Sequence, residues 1–509
     1  MHKSRLPFCL ALALGLVAAP VAAAPRDPET RAWWDLIATL SSDAMRGRDT
    51  GSPEHRRAAE LVADRFRAAG LKPMGEAGGY LQRVPLHEVR VETMGTRFDL
   101  LGTGGQAKPL RFLDEISVRA APDLPDSIDA PLVFRGYCGK EAVGTDVAGK
   151  IVLCFGGRRK GMPSDEERIS AITAAGATAI LIIDDIGFTV EPPRWPTAYS
   201  RTITLREAAA PAPVSPATGP IVMRLNPEVL PAVLAGSGHD AATLLADGVA
   251  ARPLANFDLP SRLRAEFVVA TRDFASENVL ALLPGTDPAL THEVVVVDAH
   301  LDGYGIGAPV NGDSLYNGAF DDAAYVATLI RLAEARQGKG YRRPVLFAIF
   351  TGEEKGLLGS RWFVAHPTVP HADLAANITL DAIRPLFPLK ILTLIGSDRS
   401  SLKANVDRVA APMGIAIRPD LEPERGMIRR TDAASFLGAG VPAIAFMFGY
   451  DSGSPEEAKF RNWYRTRYHK PQDDISQPID FTAAADFNRF VANLTDDVAN
   501  SAAPPVMAR

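Results

Sequence analysis

The sequence predicts an α/β protein: a mixed, mostly parallel sheet flanked by helices, with a smaller β-rich domain inserted. Three observations predict it. Val294 to Val297 is a run of four valines, the pattern of a strand buried on both faces of a sheet. Beyond a composition break near residues 255 to 265, such apolar runs alternate with helical stretches, as βα units do. Between about residues 80 and 135 the segments are instead short and alternating, which reads as antiparallel strands.

Taken from the N-terminus, the first element is not part of the fold. Lys3 and Arg5 precede an apolar stretch from Leu6 to Ala19, and Val21, Ala22 and Ala23 supply a small-residue cleavage site. Residues 1–23 therefore read as a secretory signal peptide. An uncleaved anchor is the alternative, but the run is shorter than the ~20 residues a spanning helix needs. The mature protein is expected to be periplasmic or secreted and free of the membrane. Its formal charge moves from −5 to −7 as Lys3 and Arg5 leave. Cys9 leaves too, so Cys138 and Cys154 remain; in an oxidising compartment they either pair or stay as buried thiols.

Residues 31 to 71 place Leu36, Ile37, Leu40 and then Ala58, Leu61, Val62, Phe66 at helical spacing around a Gly-Ser-Pro turn at 51–53, so two amphipathic helices open the mature chain. Gly149 to Phe155 is a short buried strand, Arg168 to Ala177 a helix and Thr178 to Ile183 a second strand. The Pro-dense stretch from 187 to 220 reads as long loop and short strand. After the break come a helix at 323–335 and strands at 344–350, 377–380 and 441–448. The expected division is a catalytic domain from 24–120 and 266–509, interrupted by an insertion at 121–265. The 509 residues carry 55 Lys plus Arg against 60 Asp plus Glu, with 47% hydrophobic residues. That composition excludes disordered, collagen-like and disulfide-scaffold chains, and the acidic balance leaves no basic footprint for nucleic acid.

Each core strand of the second run ends in acids or histidine. Val294 to Val297 leads to Asp298, His300 and Asp302; 344–350 leads to Glu353 and Glu354; 377–380 leads to Asp381. The carboxyl ends of strands in an open α/β sheet face one crevice, so these groups converge. With Asp321 and His469 added, His300, Glu354 and Asp381 complete a set of three carboxylates and two imidazoles. Such a set suits two zinc ions, with cobalt or manganese as substitutes. Each residue alone has a plainer reading: Asp321 and Asp322 as helix caps, Glu353 and Glu354 as a solvated turn, Asp381 as a strand-end group bound to backbone, His469 as a packing residue.

The joint pattern is more specific. His300-Leu301-Asp302, Tyr316-Asn317-Gly318-Ala319-Phe320-Asp321-Asp322-Ala323, Phe350-Thr351-Gly352-Glu353-Glu354 through Ser360, Leu380-Asp381 and Tyr468-His469-Lys470-Pro471-Gln472-Asp473 resemble the co-catalytic zinc aminopeptidases. That family includes glutamate carboxypeptidase II and, as non-catalytic relatives, the transferrin receptors. Gly47-Arg48-Asp49-Thr50-Gly51-Ser52 and Thr431-Asp432 to Phe436 resemble it too. Gly149 to Leu153 with Ala174-Ala175-Gly176-Ala177 is similar to a protease-associated domain.

The resemblance implies a zinc exopeptidase-like fold and an aminopeptidase acting on peptides. It makes Asp321 the bridging carboxylate, His300 and Asp381 ligands of one metal, Glu354 and His469 of the other. It makes Asp302 the residue orienting His300, and Glu353 the general base that takes a proton from water and returns it to the leaving amine. It also implies a cis peptide between Asp321 and Asp322. Phe320, Tyr325 and Thr431-Asp432-Ala433 depart from the family's usual residues, which bears on pocket shape more than on metal binding. A carboxypeptidase or dipeptidase of the same fold, with Arg429 and Arg430 as candidates for a substrate carboxylate, a single-zinc cyclase and a non-catalytic binding protein are the other readings. Side-chain preference and oligomeric state are open.

Overall fold

The computed structural model describes residues 25 and 27–508, apart from 158–160, 186–196, 207–218, 382 and 397. The expected signal peptide, residues 1–23, lies outside the described residues, as does most of the Pro-dense stretch. Among the described residues no helix is long and apolar enough to cross a membrane.

Two helices open the described chain. In Pro28–Leu40 the Asp27 carboxylate accepts from the Thr30 amide at 2.8 Å, and in Pro53–Ala68 the Ser52 hydroxyl accepts from the His55 amide at 3.0 Å. Each cap satisfies an amide that the first turn leaves without a partner. The apolar stripes then bury Trp33, Ile37 and Leu40, and Ala58, Val62 and Phe66. Trp33 Nε1 donates to the Ala324 carbonyl at 2.9 Å, which fastens the first helix to the helix Ala324–Ala335.

The larger sheet has four parallel strands at its centre, in the order Ala443–Phe448, Leu374–Thr379, Val294–His300 and Val345–Phe350. Every residue of Val294–His300 and of Val345–Phe350 is buried, as the valine run requires when helices cover both faces. Beyond Val345–Phe350 the pairing turns antiparallel: first Val269–Leu283, then Leu81–Val91, then Arg201–Leu205. At the other edge Ile391–Ile395 and Ala416–Pro419 complete the order. The long strand Val269–Leu283 has no counterpart in the sequence reading, because its exposed first half and buried second half share no single period.

A second, eight-stranded sheet runs Ala107–Leu110, Arg97–Leu101, Asn256–Glu266, Ser127–Arg135, Ile151–Phe155, Ala179–Ile183, Ile221–Leu225, Ile116–Val118. Three of these strands precede residue 121, and they join because Phe98, Leu100, Leu110, Ile116 and Val118 share a core with Phe134 and Leu153. Conversely, Arg201–Leu205 returns to the larger sheet. Cys138 and Cys154 form a disulfide with both residues buried, which decides between the two states left open above.

One buried cation holds the opening helices to the strand ends. Arg48, fully buried, donates to the carbonyls of Leu40 at 2.7 Å, Leu301 and Asn317 at 2.8 Å and Gly318 at 2.9 Å. Replacing it by methionine keeps bulk and strands these acceptors, so Arg48→Met is expected to cost about 3 kcal/mol or more. Urea unfolding with an unchanged m-value would measure it; a loss under about 1 kcal/mol would contradict this account.

Candidate metal centre

The candidate residues sit where the parallel strands run out. His300 ends its strand, Glu353 and Glu354 follow Val345–Phe350, and Asp381 follows Leu374–Thr379. Asp321 lies in the wide turn Ala319–Ala323 ahead of the helix Ala324–Ala335. His469 lies in a turn after the helix Pro455–Thr466. The turn that carries Asp321 is tight at Gly318, where a Cβ would lie 2.4 Å from the Asp321 carbonyl oxygen. The peptide between Asp321 and Asp322 is cis.

Asp321 and Asp322 are not helix caps. Both have non-helical dihedrals, and the helix that follows takes no side-chain cap. The Asp321 carboxylate instead spans two imidazoles: Oδ1 is 3.4 Å from His300 Nε2 and Oδ2 is 3.4 Å from His469 Nε2. His469 Nε2 is also 3.4 Å from Glu354 Oε2. Ligand atoms about 2.0–2.1 Å from one tetrahedral zinc lie about 3.3 Å from each other, so these spacings are those of metal ligands rather than of hydrogen bonds. Two groups emerge, each with its ligand atoms within 4.8 Å: His300, Asp322 and Asp381, and Asp321, Glu354 and His469. Asp322 Oδ2 is occupied by the backbone amide of His300 at 3.1 Å, whereas Asp321 faces both groups.

Several buried polar atoms here have no hydrogen-bond partner among the described residues, His300 Nε2, Asp321 Oδ2 and Glu354 Oε1 being three of them. Such atoms are costly in a protein interior, and on three facing ligand types they are the donor set a divalent cation requires. The residues therefore fit a zinc site.

Asp302 acts on His300 through its backbone: its carbonyl oxygen is 3.1 Å from His300 Nδ1, with the carboxylate at 3.8 Å. The carboxylate has other partners, accepting from the Glu353 amide at 3.0 Å and the Thr50 hydroxyl at 2.8 Å. One residue thus orients both the histidine and the turn that presents Glu353, whose Oε2 reaches within 3.9 Å of His300 Nε2. Asp298 is structural, accepting from Asn377 and, at 3.1 Å, from the Thr379 hydroxyl of the neighbouring strand.

Burial pushes Glu354 up to about 7, Asp432 up to about 7 and Asp473 up to about 6. It also holds Glu353 well above the usual carboxylate range, where Asp381 and Glu354 repel its charge further. For His300 burial acts downward and is outweighed by Asp322, Glu353, Asp321 and Asp381, so its pKa ends well above the ordinary value. For Asp321 burial acts upward and is outweighed by His300, His469 and Arg384, so it stays ionised far below the usual range.

Three further residues support the centre. Asp473 accepts from the Phe320 amide at 3.0 Å and from Gln477 at 2.6 Å, tying the segment that carries His469 to the turn that carries Asp321. Arg384 is fully buried, lies 4.5 Å over the Trp463 ring and brings Nη2 to 3.5 Å from Asp321 Oδ2. Sequence reasoning missed it because an arginine in a Pro-rich loop carries no local sign of burial. Lys355 sits 4.4 Å over the Tyr304 ring and donates to the Gly303 carbonyl at 3.2 Å.

The departures from the family pattern point elsewhere. Phe320 packs 6.4 Å from both Trp33 and Trp34, and the buried Tyr325 hydroxyl donates to the Ile383 carbonyl. Both are core contacts. Of the two arginines considered for a substrate carboxylate, Arg429 is exposed and Arg430 donates to the Tyr468 hydroxyl at 3.1 Å. A cavity of about 830 Å³ between Trp33, Thr328 and Phe481 is lined by none of the candidate ligands.

Residues 278–495 match the peptidase family M28 profile. The chain is similar in structure to an aminopeptidase from Aneurinibacillus sp. strain AM-1, at 18% identity and a TM-score of 0.60, covering 92% of this chain and 94% of that one. A zinc aminopeptidase from Bacillus subtilis matches at 18% identity and 0.59, covering 94% and 97%. A peptidase M28 precursor from Shewanella amazonensis matches at 15% identity and 0.55, covering 93% and 94%. The fold is that of the zinc aminopeptidases, and the M28 match with these neighbours supports the zinc-dependent exopeptidase class that the motifs implied.

Asp432 and Asp473 keep their protons in the fold up to about pH 7 and 6, whereas the unfolded chain releases them near about 4. The unfolded state therefore binds fewer protons across that window, and the metal-free protein loses stability as pH rises from about 4 to 7. A metal favours the ionised carboxylates and offsets the decline. Chelator-treated protein is expected to melt lower at about pH 7.5 than at about pH 5, with zinc raising the melting temperature more at the higher pH. Equal or greater stability of the chelated protein at about pH 7.5 would refute this.

Proposed function

We propose that this chain, with its peptidase family M28 region at residues 278–495, is an exported metallo-aminopeptidase that removes N-terminal residues from peptides. The observation that carries the reading is the Asp321 carboxylate lying 3.4 Å from His300 Nε2 on one side and 3.4 Å from His469 Nε2 on the other. One carboxylate facing two imidazoles is what holding two cations demands. His300 and Asp381 would hold one zinc, Glu354 and His469 the other, with Asp321 shared; cobalt or manganese suit the same ligands. When bound, such a pair acidifies water and polarises the peptide carbonyl.

The protein's own part is positioning and proton transfer. Glu353, fixed at its amide by the Asp302 carboxylate, takes the proton of the attacking water at Oε2 and delivers it to the leaving amine. Burial and neighbouring acids raise its proton affinity, which suits a carboxylate that must hold a proton between two steps. The Asp302 carbonyl keeps the His300 ring in place through Nδ1. The complete ligand set and the presence of Glu353 weigh against a non-catalytic binding protein.

Metal content and turnover test the reading together. Wild-type protein is expected to carry two zinc ions per chain and to hydrolyse amino-acid nitroanilides in preference to N-blocked dipeptides. Glu353→Gln should keep both metals and lose activity by about 10²–10⁴-fold. One metal per chain, full activity of the variant, or preference for blocked dipeptides would sink it. Export is tested separately: N-terminal sequencing of the mature protein should begin at or near Ala24, and an intact Met1 would refute cleavage.

A further inference from the structure

A second cavity adjoins the metal centre at the seam between the two sheets. Its volume is about 350 Å³, and Tyr304, Glu354 and Lys355 line it from the larger sheet's loops. Arg119 and Arg224 line it from the second sheet, and Arg201 from the edge strand of the larger sheet. The size suits one or two amino-acid residues, at the lower end of the range for ligand pockets. Glu354 belongs to both the cavity and the metal cluster, so the two spaces are contiguous.

The charge around the cavity is unbalanced. Asp49 serves both Arg201 and Lys355, and Glu88 serves both Arg201 and Arg272, so three cations share two carboxylates. Arg224 pairs with Asp184. Arg119 is exposed, and among the described residues no carboxylate pairs with it. The one acid in the cavity wall, Glu354, faces His469. What remains among the described residues is positive charge carried by planar donor groups beside a peptide-sized space, and guanidinium groups of this kind take carboxylates in paired hydrogen bonds.

We propose that this cavity is a carboxylate subsite, in which Arg119 and its neighbours bind an acidic side chain or the C-terminal carboxylate of a short peptide held at the metal centre. This rests on the peptidase reading and adds a substrate class to it. It also gives the second sheet a role in specificity, since Arg119 and Arg224 come from that sheet. Arg119 is a specificity determinant here and takes no part in proton transfer.

Two substrate pairs separate the sources of the carboxylate. Glutamyl against glutaminyl nitroanilide reads the side-chain arm, and alanyl-alanine against its C-terminal amide reads the C-terminal arm. In at least one arm the acid is expected to be preferred by about tenfold, mainly through KM. Arg119→Gln should reduce that preference to about twofold while the neutral substrate is hydrolysed as before, and Arg119→Lys should retain part of it. Equal or better turnover of the neutral member in both arms, or an equal loss on both members in Arg119→Gln, would overturn the proposal. If no peptide is hydrolysed the function assigned above fails instead, and calorimetry decides the subsite alone: tighter binding of alanyl-alanine than of its amide supports it, and equal binding refutes it.

Discussion

Carboxylates of like charge buried together at the ends of parallel strands are the constraint on which the rest of this structure depends. Asp298, Asp302, Asp321, Asp322, Glu353, Asp381, Asp432 and Asp473 are all buried in one region. Ionised groups at that density repel one another and lose hydration, so the fold compensates each differently. Asp298 Oδ2 and both Asp302 carboxylate oxygens accept hydrogen bonds from neighbouring strands and loops. Asp473 is satisfied by a backbone amide and a glutamine. Asp321 is held ionised by two imidazoles and Arg384. Proton affinity rises at Glu353 and Glu354, where a cation rather than a hydrogen bond is the fitting partner.

That division separates scaffold from chemistry within one crevice. Asp302 does two jobs, because its carbonyl faces the histidine and its carboxylate faces the Glu353 turn. Through Arg48 the same crevice is bound to the first helices of the chain. The opening segment is therefore tied to the loop before Asp321, far away in sequence but one side chain away in space. The second sheet contributes differently: it supplies walls and charge to a cavity beside Glu354.

Much of the larger sheet was legible from the sequence, because its four central strands are almost wholly buried and mostly apolar. The helices Pro28–Leu40 and Pro53–Ala68 were legible through the helical spacing of their apolar residues and the turn between them. Strand Val269–Leu283 was not, since half of it faces solvent. The edges of the second sheet were equally hidden: short strands before residue 121 look like any antiparallel segment until Phe98 and Ile116 share a core with Phe134. Among site residues, motif order pointed to His300, Asp321, Glu354, Asp381 and His469. It offered no route to Arg384 or Arg119, whose relevance comes entirely from what surrounds them.

The sequence by itself determined the chemical vocabulary: which strands end in acids and histidines, which stretches pack as helices, and which family the motifs resemble. Those are local properties, carried by periodicity and residue type. Only the tertiary structure decided that Asp321 faces two imidazoles instead of capping a helix, that Cys138 and Cys154 are bonded, and that a positive cavity opens beside Glu354. Each of these depends on distances between segments remote in sequence. Local pattern constrains a backbone, but charge acts across space, and its consequences appear only when the chain has brought the groups together.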